Sequence, residues 1–169
     1  MAQDLIRRIK ASAAISDCLF GLTASPPPLQ ERLGGLCDGL LRLFAAQDMA
    51  IRTEITVRGG CPAELEEAVI GIAHEFVGNA LRHGMYARAA GRITVRLVSA
   101  AGRTTLTVRD DGWGLPDAPD ARAGEGMALA REMAARHGGS VSLCRETARE
   151  GGRGGTTEAR AVLLHRTLG

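Results

Sequence analysis

The spacing of the apolar residues changes partway along the chain, and that change bounds the fold. In "LQERLGGLCDGLLRLF", residues 29–44, Leu29, Leu33, Leu36, Leu40 and Leu43 recur at alternating intervals of four and three. This is the seam of a helix that packs on another helix. From residue 51 the interval falls to two, so Ile51, Thr53, Ile55 and Val57 share one side of a strand. Before the seam, residues 3–24 read as a helix carrying Leu5, Ile9, Ile15 and Leu19, and "SPPP" at 25–28 breaks it. Residues 1–50 therefore form a helical hairpin. Two helices alone bury little, and pairing with a second copy to make a four-helix bundle is the natural completion. Packing of the stripe on the chain's own second half is the competing reading.

Beyond residue 50 helices and strands interleave. Leu65, Val69, Ile72, Phe76 and Ala80 repeat every three or four residues behind Cys61-Pro62, a helix start. "RITVRLVSAAGRTTLTVRDDG", 92–112, alternates on both sides of "AAG" and reads as a hairpin. A helix from Met127 to Arg136 stops at "HGG", and "SVSL" and "TEARAVLL" add two strands. The expected fold is α+β: the N-terminal hairpin, then a two-layer α/β sandwich over 51–169 with a mainly antiparallel sheet.

Composition narrows the function classes. Aromatic residues are only 3% of 169, so the core is aliphatic. A net charge of +2 without interleaved aromatics gives no nucleic-acid platform. No apolar run approaches the roughly 20 residues that cross a bilayer. The four cysteines show no metal spacing and read as reduced thiols, which suits a cytoplasmic protein.

Three stretches carry candidate chemistry. "AHEFVGNALRHG", 73–84, spaces Glu75, Asn79 and His83 by four, a polar ladder on one helical stripe. "RDDGWGLP", 109–116, offers a carboxylate from Asp110 or Asp111, with Gly112 and Gly114 allowing close approach of a flat ligand. "RAGEGMALA", 122–130, sets Gly124 and Gly126 just before a helix, where bare amides suit phosphate oxygens. Taken singly, each is ordinary: a solvated stripe, a turn, a cap. His74, His137 and His165 read as structural or surface histidines.

In this order and spacing the stretches resemble the ATP-binding domain shared by histidine kinases, gyrase, Hsp90 and the MutL mismatch-repair proteins (the GHKL group, with its Bergerat fold). "HEFVGNALRHG" is similar to its N-box, "DDGWG" to its G1 box, "GEGMALA" to its G2 box, and "GGT", 154–156, to its closing Gly-Thr element. The resemblance implies ATP and Mg²⁺ as cofactors, with Asn79 on the Mg²⁺ and Glu75 as general base or polarising group. It places Arg82 and His83 near the phosphates and Asp110 on the adenine amino group. Gly114 and Thr156 would line the base pocket, with Gly112 at its turn, and Gly124 and Gly126 would meet the phosphate tail.

Only seven residues separate Pro116 from Gly124, which is similar to the short-lid sensor kinases, HisKA_2-type more than HWE-type. In that family the first hairpin helix carries a phosphoacceptor motif resembling L-x-H-R-V-K-N. Here "LIRRIKA", 5–11, puts Arg7 at the histidine position, and no histidine precedes His74. A guanidinium stays protonated and has no lone pair with which to take a phosphoryl group. The resemblance thus implies a two-component signalling protein that binds ATP but does not phosphorylate its own hairpin. It would be a dimeric, pseudokinase-like regulator of a partner kinase or response regulator. The alternatives are a kinase acting in trans on a histidine or serine of a partner, as anti-sigma-factor kinases do, and a phosphotransfer-type scaffold.

Overall fold

The alternation that begins near Ile51 does produce a strand, and the helix behind Pro62 becomes the centre of the molecule. A computed structural model describes residues 2–20, 26–45, 49–86, 88–112, 125–147 and 155–165, apart from the side chains of 2–5, 7, 8, 20 and 145–147. Its elements are α1 (Ala2–Phe20), α2 (Leu29–Phe44), β1 (Ala50–Arg58), α3 (Ala63–Asn79), β2 (Ala90–Ala100), β3 (Arg103–Asp110), α4 (Glu125–Arg136), β4 (Ser140–Thr147) and β5 (Gly155–Leu164). The sheet order is β1-β2-β3-β5-β4. β1 and β2 run parallel with α3 as their crossover, and the other pairs are antiparallel. This is the expected α+β architecture.

One sheet face is apolar. Ile93, Val95 and Leu97 of β2, Leu106 and Val108 of β3, and Ala159, Ala161 and Leu163 of β5 are buried under the helices. α3 is buried along nearly its whole circumference (Leu65, Val69, Ile70, Ile72, Ala73, Phe76 and Val77), because sheet, α2 and α4 all press on it. α4 contributes Met127, Ala130 and Ala134. It ends where Gly138 takes φ +62 and the amides of Gly138 and Gly139 return to the carbonyls of Ala135 and Ala134.

The leucine seam finds its partner inside the chain. Leu33, Leu36 and Leu40 are fully buried in one continuous core with Leu65, Val69 and Phe76, and α2 lies on α3 and β1. Of the two readings of this stripe, packing on the chain's own second half is the one observed; the seam is not a free surface for a second copy. The apolar flank of α3 satisfies it at short range. Arg32 reinforces the junction. Its Nη1 pairs with Glu66 Oε2 of α3 at 2.8 Å, and its Nη2 donates to the Cys18 carbonyl of α1 at 3.2 Å. The cysteines are free thiols, and burial pushes Cys37 up to about 12 and Cys61 to about 11, far from thiolate chemistry at neutral pH. No helix among the described residues is long and apolar enough to cross a membrane.

Candidate functional site

The polar residues of the opening motif stand at the C-terminal end of α3, where the helix changes character. α3 stops at Asn79, and Ala80–Gly84 form a π-helical turn closed by the Met85 amide on the Ala80 carbonyl at 2.9 Å. An extra residue in a turn displaces everything after it around the axis. Glu75 and Asn79 stand on the regular helix before the widened turn, and His83 lies within that turn and is exposed. Such widened turns collect at functional sites.

Glu75 and Asn79 are both engaged. Asn79 Oδ1 accepts a hydrogen bond from Arg82 Nη2 at 3.1 Å, and Arg82 Nε donates to the Gly78 carbonyl at 3.2 Å. The same guanidinium lies 5.6 Å from the ring centre of Phe44, the last residue of α2. Glu75 is held from two sides. Its Oε1 is 2.9 Å from His74 Nδ1, and its Oε2 abuts Gly126 at the start of α4, where a Cβ would collide with it. Neighbours on a helix do not face one another, so sequence spacing assigned His74 no part; the "HE" dipeptide itself was the available signal.

The carboxylates at the end of β3 have separate places. Asp111 points outward and closes the ladder, accepting the Arg92 amide at 2.7 Å while its own amide donates to the Arg92 carbonyl. Asp110 points inward and is only 4% exposed. Its Oδ1 accepts the Gly112 amide at 3.0 Å, and a Cβ on either Gly84 or Gly112 would strike the carboxyl group. Burial pushes its pKa up to about 6, helped by Asp111 and opposed by the Gly112 amide and Arg88. The Gly155 amide donates to the Gly112 carbonyl at 3.1 Å and brings β5 alongside. Asp110 pairs with Thr157, which is buried, so Thr157 and not Thr156 shares its side of the sheet. Thr156 lies on the other face. That is a one-residue correction, set by strand register, which two identical adjacent threonines conceal.

Three segments far apart in the chain thus meet at the end of α3: β3 through Asp110 against Gly84, α4 through Gly126 against Glu75, and α2 through Phe44 against Arg82. Gly84, His74 and Thr157 join the residues picked out by sequence. Gly114 and Gly124 lie outside the described residues, as does the side chain of Arg7, whose backbone is on α1. Among the described residues no three His, Cys, Asp or Glu side chains could hold a metal ion. A divalent cation beside Asn79 would need its remaining oxygens from its own ligand, which is how Mg²⁺ is usually held with phosphates. Asn79 Oδ1 is the oxygen this helix end could give such a cation once its hydrogen bond from Arg82 is released.

Residues 64–166 match the family described as histidine kinase-, DNA gyrase B-, and HSP90-like ATPase. The chain belongs to this family. This histidine-kinase-like ATPase is 29% identical over 122 residues to the sensor histidine kinase LnrJ of Bacillus subtilis, a match covering 70% of the chain and 28% of that kinase. It therefore spans little more than a quarter of that relative. In fold it is similar to the histidine kinase domain of the Erythrobacter litoralis EL346 blue-light activated histidine kinase, with TM-score 0.67 and 22% identity over 96% of this chain and 75% of that one. The mycobacterial sensor histidine kinase MprB is also similar, with TM-score 0.55 and 20% identity over 83% of this chain and 95% of that one. The chain is a histidine-kinase-like ATPase signalling domain with a helical hairpin packed on it.

Proposed function

We propose that this domain binds Mg²⁺·ATP at the end of α3 and serves as a nucleotide-dependent regulator of a partner kinase or response regulator, without phosphorylating its own hairpin. The observation that carries the binding reading is the buried Asp110 carboxyl, wedged between two glycines beside Asn79's helix end. A planar base with an amino group needs one fixed acceptor in an otherwise apolar slot, and Asp110, with Thr157 on its side of the sheet, supplies it. Asn79 would offer a carboxamide oxygen to the cation, Arg82 and His83 would meet the phosphates, and the amides at the start of α4, around Gly126, would serve phosphate oxygens. Bound Mg²⁺ would neutralise phosphate charge. The side chains supply orientation, with Glu75 poised by His74 to polarise or deprotonate a nucleophile.

The regulatory half rests on Arg7, aligned with the lost phosphoacceptor, and on a hairpin without histidine. With Leu33, Leu36 and Leu40 buried internally, homodimerisation through the hairpin falls to the outer face of α1, where Ile6 and Ile9 are exposed. Residues 1–50 would carry partner contacts and residues 51–169 the nucleotide. The orientation of Glu75 by His74 favours one second reading, phosphorylation of an acceptor supplied in trans. Titration calorimetry with ATP, with and without Mg²⁺, tests the assignment. Asn79→Ala is expected to abolish the Mg²⁺-dependent part of binding, and Glu75→Ala to spare binding and remove any turnover. Undiminished Mg²⁺·ATP affinity in Asn79→Ala would overturn the site.

A further inference from the structure

We propose that Phe44, on the hairpin, is a positioning residue of the nucleotide site: it holds Arg82 against Asn79, so that cation-bound nucleotide and the docked end of α2 compete for one side chain. This rests on the Mg²⁺·ATP reading and adds a means of regulating that site.

A guanidinium is a donor only, so the Asn79 atom 3.1 Å from Arg82 Nη2 is the carboxamide oxygen. That is also the one Asn79 atom a hard cation can use. Two cations on one oxygen repel, so Mg²⁺ at Asn79 requires Arg82 to move. Three contacts resist: Asn79 Oδ1, the Gly78 carbonyl at 3.2 Å, and the Phe44 ring at 5.6 Å. The first two belong to the same helix end as the site. The third comes from α2, 38 positions earlier in the sequence. Phe44 is the terminal residue of α2 and is 41% exposed, unlike the leucines that anchor the rest of that helix. Its ring is thus little used by the core, and its face is turned to a cation. When Arg82 swings off Asn79 it leaves that face and becomes free to meet the phosphates. Binding linkage is reciprocal. Whatever fixes the end of α2 under Arg82 weakens Mg²⁺·nucleotide binding, and the bound nucleotide in turn releases the end of α2. A partner that grips the hairpin can thereby set the affinity of a site it never touches.

The test is calorimetric titration of the whole chain with Mg²⁺·ATP and with ATP in EDTA. A partly exposed cation–π contact corresponds to roughly a 2–5-fold change in a binding constant. Phe44→Ala and Phe44→Leu, the latter preserving packing, are expected to tighten Mg²⁺·ATP binding by that factor, with a smaller change for ATP in EDTA. Phe44→Trp, which keeps an aromatic face, is expected to stay at or below wild-type affinity. In an Arg82→Ala background Phe44→Ala is expected to change nothing. Hydrogen exchange of the Leu41–Phe44 amides is expected to speed up when Mg²⁺·ATP is added. Unchanged or weaker binding in both Phe44→Ala and Phe44→Leu, or an effect that persists without Arg82, would overturn the proposal while leaving the nucleotide site standing. Absence of binding in every variant, wild type included, would overturn the nucleotide reading and this one with it.

Discussion

Asp110→Asn is expected to stabilise the protein at neutral pH even though it removes the best candidate for base recognition. Asp110 is 4% exposed, has the Gly112 amide as hydrogen-bond donor, and has Asp111 beside it. Burial raises its pKa from 3.8 to about 6. Because the folded value lies above the unfolded one, the folded chain holds this proton more tightly. The group's stabilising share is complete below the unfolded value and is lost as pH rises through the folded one. At 1.36 kcal/mol per pKa unit, a rise of roughly two units corresponds to a penalty of about 3 kcal/mol on the charged form. An amide in the same place is neutral but must still bury a donor, which takes back part of the gain. The expected stabilisation by Asp110→Asn is therefore about 2 kcal/mol near pH 8, shrinking to well under about 1 kcal/mol near pH 4.5. Urea unfolding of both proteins at the two pH values, without nucleotide, measures it. A pH-independent difference, or a loss of stability near pH 8, would show that the carboxylate is not penalised and that the reasoning fails. A residue kept at such a cost is the kind that function retains.

Two further outcomes follow from the way the hairpin is seated. Leu36→Ala removes a fully buried side chain shared by α2 and the sheet-bearing part, and a loss of about 2–4 kcal/mol is expected. Circular dichroism and hydrogen exchange of the α2 and α3 amides should still report one coincident transition, and two separate transitions would show that the hairpin folds independently. Arg32→Ala strands Glu66 and leaves the Cys18 carbonyl without this donor, at an expected cost of about 2–3 kcal/mol, less than for a fully buried pair because Glu66 is 29% exposed. Adding Glu66→Gln should recover part of that loss, and an unchanged urea midpoint in Arg32→Ala would refute the clamp.

What could be read in advance, and what could not, divides along a physical line. Strands and helices were legible because each obeys its own period: β1 from Ile51 to Val57, α3 from Leu65 to Phe76. The partner of a period was not. Leucines at seam spacing are chemically indifferent to whether a second copy or α3 covers them, so the Leu33–Leu36–Leu40 stripe could not announce its destination. Thr156 and Thr157 are the same residue, and only pairing with β3 decides which faces Asp110. No residue between Ala80 and Gly84 signals the widened turn that the helix takes there. Phe44 and Arg82 meet only because the hairpin folds back.

The candidate site nevertheless leaves a steric trace in the sequence. At Gly84 and Gly112 a Cβ would strike the Asp110 carboxyl, and at Gly126 a Cβ would strike that of Glu75. Each of these glycines marks a place where backbone closely approaches a carboxyl group, buried at Asp110 and partly buried at Glu75. Their spacing in the chain is therefore a record of where the carboxylates lie in space. Aliphatic packing leaves no such record, since many side chains fill the same volume at similar cost. A collision with a buried carboxyl group such as that of Asp110 disfavours every side chain, and hence the candidate site at the end of α3 was more legible than the core that supports it.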